Sequence, residues 1–199
     1  MTLQASTCAV YNQHMLDLIT FDSISQHKLI EGTIVRPLKV NSDESGILVE
    51  TLKTNWTDVY SEVMPFAQQY YSVTNSGIAR DENQWHFHPG GQQDRFIVIS
   101  GEIVAAIADN EENSPTKGLL NLYHMKSREN PYLLVIPKRA YHIFMVVSRD
   151  PATLLNFPTR LYDPKEEGRI PFEKDQLKTS SGKVFSWNLV REQFQLPVK

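Results

Sequence analysis

Arg95-Phe96-Ile97-Val98-Ile99-Ser100-Gly101-Glu102-Ile103-Val104-Ala105-Ala106-Ile107-Ala108 is the stretch on which the fold turns. Two apolar, β-branched runs of strand length flank a single glycine, and neither shows a helical period. The same texture recurs on both sides. Thr33–Leu38, Ile47–Leu52, Ala67–Thr74, Gly118–Met125, Tyr132–Ile136, Tyr141–Val147 and Thr153–Phe157 all read as strands, separated by Gly, Pro, Asn, Asp and Ser. Many short strands with turn signals and almost no long helical pattern predict an all-β sandwich or barrel. Met15, Leu16, Leu18 and Ile19 permit a short helix before this texture begins, Trp56–Phe66 reads as a helical turn or loop, and Val184–Phe194 reads as a short strand or helix.

The whole chain has 199 residues, 20 basic and 23 acidic side chains, one Cys and six His. That length predicts one domain, with residues 32–172 as the β unit between an N-terminal segment, 1–31, and a C-terminal extension, 173–199. A net charge of −3 argues against a nucleic-acid partner. A single Cys, Cys8, rules out a disulfide framework and a Cys-based zinc site and reads as a spectator thiol. Met1–Tyr11 lacks the pattern of a secretory signal, and no apolar run approaches the ~20 residues of a membrane helix. The expectation is a soluble cytoplasmic protein.

Polar chemistry is densest in Trp85-His86-Phe87-His88-Pro89-Gly90-Gly91-Gln92-Gln93-Asp94-Arg95. Strand alternation puts His86 and His88 on one face, and His142 lies in another strand five residues after Pro137. If those strands are neighbours, three imidazoles converge. Imidazoles with a carboxylate suit iron, zinc, manganese or nickel. A His with an ordinary pKa near ~6.5 also suits removal of a proton beside a carbonyl. The bland alternative is a set of polar residues at a strand end. His14, His27 and His124 show no such spacing and read as surface or structural, while Tyr70, Tyr71 and Trp85 read as core or barrel lining, or as a platform for a base or sugar.

A series of ordered segments resembles the cupin superfamily, and within it the dTDP-4-dehydrorhamnose 3,5-epimerase branch. Asp43-Glu44-Ser45-Gly46-Ile47-Leu48-Val49-Glu50 is similar to D-E-R-G-F-F-x-E. Gln68, Ser72 and Gly77-Ile78-Ala79-Arg80 resemble a Q-x-x-x-S segment ending in G-V-x-R. Gln93-Asp94-Arg95, Gly101-Glu102-Ile103 and Ser114-Pro115-Thr116-Lys117-Gly118 resemble Q-G-K, G-E-V and S-P-T-x-G. Ile136-Pro137-Lys138-Arg139-Ala140-Tyr141-His142 is similar to I-P-x-G-x-A-H, and Tyr162-Asp163-Pro164 with Glu167-Gly168-Arg169-Ile170 to Y-x-P-x-x-E-x-G-I.

The resemblance implies a jelly-roll β-barrel, a homodimer, a nucleotide-sugar substrate and no cofactor. A His removes the protons at C3 and C5 of a 4-keto-6-deoxy hexose, an Asp orients it, and a Tyr returns protons from the other face. Carried over, His86 matches the base, His142 the second His and Arg95 the Lys that helps hold the enolate. Arg80 matches the arginine before the base, and Glu50 and Gln68 match residues bordering the nucleotide. The departures are Asn156 at the Tyr position, Val184 in the place of the orienting Asp, Ser45 for an arginine, and His88 for a Gln. Tyr141 and Tyr162 are the nearby phenols that the sequence offers in exchange. His88 instead resembles the ligand set of metal cupins, with His86, His142 and either Asp94 or Gln93 completing a site for a divalent metal. A sugar-binding module without catalysis is the third reading.

Overall fold

The computed structural model describes residues 15–198; Cys8, His14 and the Met1–Tyr11 segment lie outside the described residues. In chain order the strands are β1 (Leu18–Ile19), β2 (Ile34–Pro37), β3 (Val40–Asp43), β4 (Gly46–Val49), β5 (Tyr70–Thr74), β6 (Ala79–Arg80), β7 (Gln84–Phe87), β8 (Asp94–Ser100), β9 (Glu102–Ala108), β10 (Leu120–Lys126), β11 (Tyr132–Ile136), β12 (Tyr141–Val146), β13 (Ala152–Asn156) and β14 (Gly168–Pro171). They are followed by one helix, α1 (Trp187–Gln193). One sheet runs β1-β10-β9-β12-β7-β14 with β6 beside β12, the other runs β2-β11-β8-β13-β5, and β3-β4 is a separate hairpin. The expected all-β cupin fold is present as two facing sheets, not as one hydrogen-bonded closed barrel.

The deciding stretch divides between the two sheets. β8 pairs with β11 and β13, β9 with β10 and β12, so the Gly101 turn carries the chain from one sheet to the other. Gly101 has φ +74°, and a Cβ there would lie 2.8 Å from Ser148 Oγ and 2.9 Å from Ala152 Cα. Only glycine meets both demands without strain.

Alternation explains why these runs are apolar at nearly every position. Phe96 and Val98 of β8 and Ile103, Ala105 and Ile107 of β9 meet between the sheets, where Leu134, Phe144 and Leu154 join them. On the outer face of the first sheet Val104, Ala106 and Ala108 pack with Trp85, Met145, Phe185, Trp187 and Val190. On the outer face of the second, Ile97 packs with Leu133, Val135, Val59 and Leu38. Both faces are covered, so both parities are hydrophobic.

The N-terminal region departs from the sequence expectation. Leu18–Ile19 adds to the first sheet as β1, parallel to β10, and the helical piece comes later as a 3-10 turn, Phe21–Gln26. Ile19 is buried in the inter-sheet core there, a packing contact that outweighs weak helical propensity. Trp56–Phe66 is turns and loop. Of the two readings of Val184–Phe194, the helix forms, with Ser186 at its N-cap position. Among the described residues no helix is long and apolar enough to cross a membrane.

Candidate active site

Three imidazoles converge as the sequence predicts. His142 pairs in register with His86 across β12 and β7, His88 follows at the end of β7, and the ligand-capable atoms of the three lie within 4.8 Å of one another. His142 shares the inward parity of Phe144, as Asp94 shares that of Phe96. Around them lies a cavity of about 210 Å³ whose walls include Tyr70, Arg80, His86, Asp94, Glu167 and Arg169. This is smaller than the ~300–1,000 Å³ of a site for a drug-sized ligand. It suits one small ring, with a longer ligand leaving past Arg80 and Arg169.

The imidazoles converge on Asp94, which is 1% exposed. Its Oδ2 accepts from His88 Nε2 at 3.1 Å and faces His142 Nε2 at 3.2 Å. Its Oδ1 accepts from Asn156 Nδ2 at 2.8 Å and Gln92 Nε2 at 2.9 Å. Burial pushes this carboxyl up, but the hydrogen bonds and charges of His142 and His88 prevail and hold it well below the usual carboxylate range. Burial likewise pulls His88 down, and the hydrogen bond and charge of Asp94, with Glu167 and the Glu166 carbonyl, raise it overall.

This arrangement also tests the metal set. The other ring nitrogen of His142 donates to the Ala140 carbonyl at 3.0 Å, and that of His88 faces the Glu166 carbonyl at 3.3 Å. Each nitrogen of both rings therefore points at an oxygen acceptor. A metal needs lone pairs, so an ion would replace these hydrogen bonds; the three imidazoles are close enough together to hold one, and the Gln92 amide nitrogen also lies 3.0 Å from His88 Nε2. Asp94 is inside the cluster, whereas Gln93, the other candidate fourth ligand, is not. The backbone N–H of Gln93 bonds Thr159, and the inward amide is that of Gln92.

His86 differs from its two neighbours. Its Nε2 lies 3.4 Å from Glu167 Oε2, and its buried Nδ1 has no hydrogen-bond partner. Burial, then the charges of His142, His88 and Arg169, pull its pKa down to about 3, so the ring is neutral at physiological pH. Val184, in the place of the orienting Asp by sequence, is 45% exposed and forms an isolated bridge with Lys178. Glu167 is the carboxylate that reaches the ring, from its other nitrogen.

Arg95 is not at the site, contrary to its expected role on the enolate. It has the outward parity of Ile97 and is fully buried. Its guanidinium donates to the carbonyls of Val59, Met64, Pro65 and Phe157, tying down the 56–66 loop. Arg95→Met is expected to destabilise the fold by about 2–4 kcal/mol, since buried carbonyls lose charge-assisted bonds. Thermal melting should show this as a fall of roughly 5–15 °C, with KM for any substrate unchanged in the folded protein.

Other sequence candidates divide. Arg80 lines the cavity, its Nε donating to Thr74 at 3.0 Å. Asn156 is buried behind the wall. Glu50 is exposed and paired with Lys53 at 3.0 Å, and neither it nor Gln68 lines the cavity. Tyr141 faces away, accepting from Asn110 at 3.2 Å, and Tyr162 is exposed. Tyr70 lines the cavity, one of the places the sequence reading allowed it, but its bond to Asn156 was not foreseen, nor were Glu167 and Gln92 as site residues. Burial and then the nearby Asp94 charge push Tyr70 up to about 12.

The imidazoles and the carboxylate that holds them thus lie between two facing, mostly antiparallel sheets. Residues 27–189 match the family model described as dTDP-4-dehydrorhamnose 3,5-epimerase, and the chain belongs to that family. It is 40% identical over 147 residues to a probable low-salt glycan biosynthesis epimerase, Agl13, of Haloferax volcanii, covering 72% of this chain and 89% of that one. A dTDP sugar isomerase structure from Desulfovibrio desulfuricans superposes with a TM-score of 0.68 at 23% identity, over 80% of this chain and 98% of that one. A Legionella pneumophila dTDP-6-deoxy-D-glucose-3,5-epimerase, solved with dTDP-4-keto-L-rhamnose, gives 0.63 at 25% identity over 72% and 75%.

Proposed function

We propose that this protein epimerises a nucleotide-linked 4-keto-6-deoxy hexose, in the simplest case a dTDP sugar, without a cofactor, and that it works as a cytoplasmic homodimer. The carrying observation is the neutral His86 on the wall of a small cavity, next to an Asp94-anchored pair of imidazoles. His86 Nε2 removes the proton on a carbon beside the keto group. Glu167, 3.4 Å away, offsets the positive charge the ring then acquires. Negative charge on the keto oxygen develops beside His88 and His142, which donate to it only by giving up a bond to Asp94 or to a backbone carbonyl. Arg80 and Arg169, exposed residues on the cavity wall, are the cations available to the diphosphate.

The decisive test uses protein treated with a chelator and dialysed. It is expected to convert a dTDP-4-keto-6-deoxy hexose to its epimer at the untreated rate. Turnover that appears only when iron, zinc, manganese or nickel is restored would overturn the cofactor-free reading. A pH dependence follows as well. Because the pKa of His86 is lowered to about 3, its base form persists as the pH falls. The kcat/KM profile is therefore expected to show no loss from protonation of His86 between pH 7.5 and 5, and a His limb near pH ~6.5 would contradict this.

A further inference from the structure

Asn156 leaves the expected tyrosine position without a proton donor of phenol strength, yet the cavity does not lack a phenol. β13 pairs with β5 in a register that places Asn156 opposite Tyr70. Asn156 Nδ2 donates to Tyr70 Oη at 2.8 Å and to Asp94 Oδ1 at 2.8 Å. Among the described residues that line the cavity, Tyr70 is the phenol. Its oxygen accepts from Asn156, so its own hydrogen is free to point elsewhere. Tyr70 belongs to the second sheet and His86 to the first, so the two groups approach the cavity from opposing walls. An epimerisation needs just such a pair, one group to take a proton from a carbon and one to give a proton to its other face.

We infer that Tyr70 is the acid that reprotonates the substrate carbon from the face opposite His86, displaced by one strand from the position where the sequence pattern seeks a tyrosine. The inference rests on the epimerase reading. In the step, His86 Nε2 takes the proton and the C–H electron pair becomes the enolate. The enolate carbon then takes the proton of the Tyr70 hydroxyl, forming a new C–H bond and leaving a phenolate. The Asn156 N–H supports that phenolate as a donor. Water finally returns a proton to the phenolate and takes one from the imidazolium, so protons balance over the cycle.

Tyr70→Phe tests this in D2O. Tyr70 is on an edge strand and half-exposed, and Phe keeps the ring, so the variant is expected to melt with the parent. Epimer formation should fall by ~10²–10⁴-fold, while exchange of the substrate proton for deuterium with retained configuration, driven by His86 alone, continues. A merely structural role would lower exchange and inversion together. Epimer formed at the parental rate, or both activities lost in parallel, would overturn the role of Tyr70. A parent protein that neither exchanges nor inverts would instead overturn the epimerase reading, and this inference with it.

Discussion

His86→Asn is expected to lower kcat/KM for a 4-keto sugar nucleotide by ~10²–10⁴-fold, about 3–5 kcal/mol of transition-state stabilisation, with little change in melting temperature. Deuterium exchange at the carbon should be lost along with inversion, which separates this variant from Tyr70→Phe. The structure gives the reason for the mild effect on folding. Nδ1 of His86 is buried without a partner, and burial pulls the ring's pKa down, so the fold gains no hydrogen bond from that nitrogen. A group placed at such a disadvantage is explained by what it does to the substrate. Steady-state kinetics and a thermal melt check the two halves. An active His86→Asn protein would remove the base from the account.

Asp94→Ala is expected to act oppositely, on the fold first. The carboxylate faces His88, His142, Gln92 and Asn156, and removing it leaves buried donors without an acceptor. Breaking a buried charged network of this kind costs about 3–5 kcal/mol, or roughly 6–20 °C in melting temperature for a domain of this size. The pH dependence has a definite sign. The folded pKa of Asp94 is depressed, so its contribution is present above the unfolded value of ~3.9 and is lost as the pH falls through the folded one. The folded pKa of His88 is raised, so its contribution is present below ~6.5 and is lost as the pH rises through the folded one. The gap between parent and variant should therefore be widest between those limits and narrow on both sides, as denaturant melts at several pH values would show. A variant that melts within a degree or two of the parent would contradict the network.

Strand identity was largely legible because both faces of each sheet are covered. Glu102–Ala108 and Tyr132–Ile136 form strands with the bounds their apolar runs predict. The short strands Ala79–Arg80 and Gly168–Pro171 are held by pairing with β12 and β7, which no local pattern announces. At the site, H-x-H alternation placed His86 and His88 correctly. The same rule applied one strand later separates Asp94 from Arg95, since neighbours on a strand face opposite ways. Asp94 turns in and Arg95 out, and matching Arg95 to a catalytic lysine by position alone overrode that parity. Tyr70 was read as barrel lining, and its link to Asn156 escaped for another reason. Its relation to Asn156 is a cross-strand register between residues 86 apart in sequence, and a linear search for a replacement tyrosine reaches Tyr141 and Tyr162 first. Glu167 stood in a matched segment, but its approach to His86 depends on β14 lying beside β7.

In the proposed reaction His86 removes a proton beside a keto group inside this cavity. Proton NMR of a dTDP-4-keto-6-deoxy hexose incubated with the metal-stripped protein in D2O tests it most directly. The expected result is loss of the C3 or C5 proton signal, with deuterium incorporated at that carbon and an epimer accumulating, and no such change with His86→Asn. Unchanged C3 and C5 signals with the folded, unaltered protein would contradict the account.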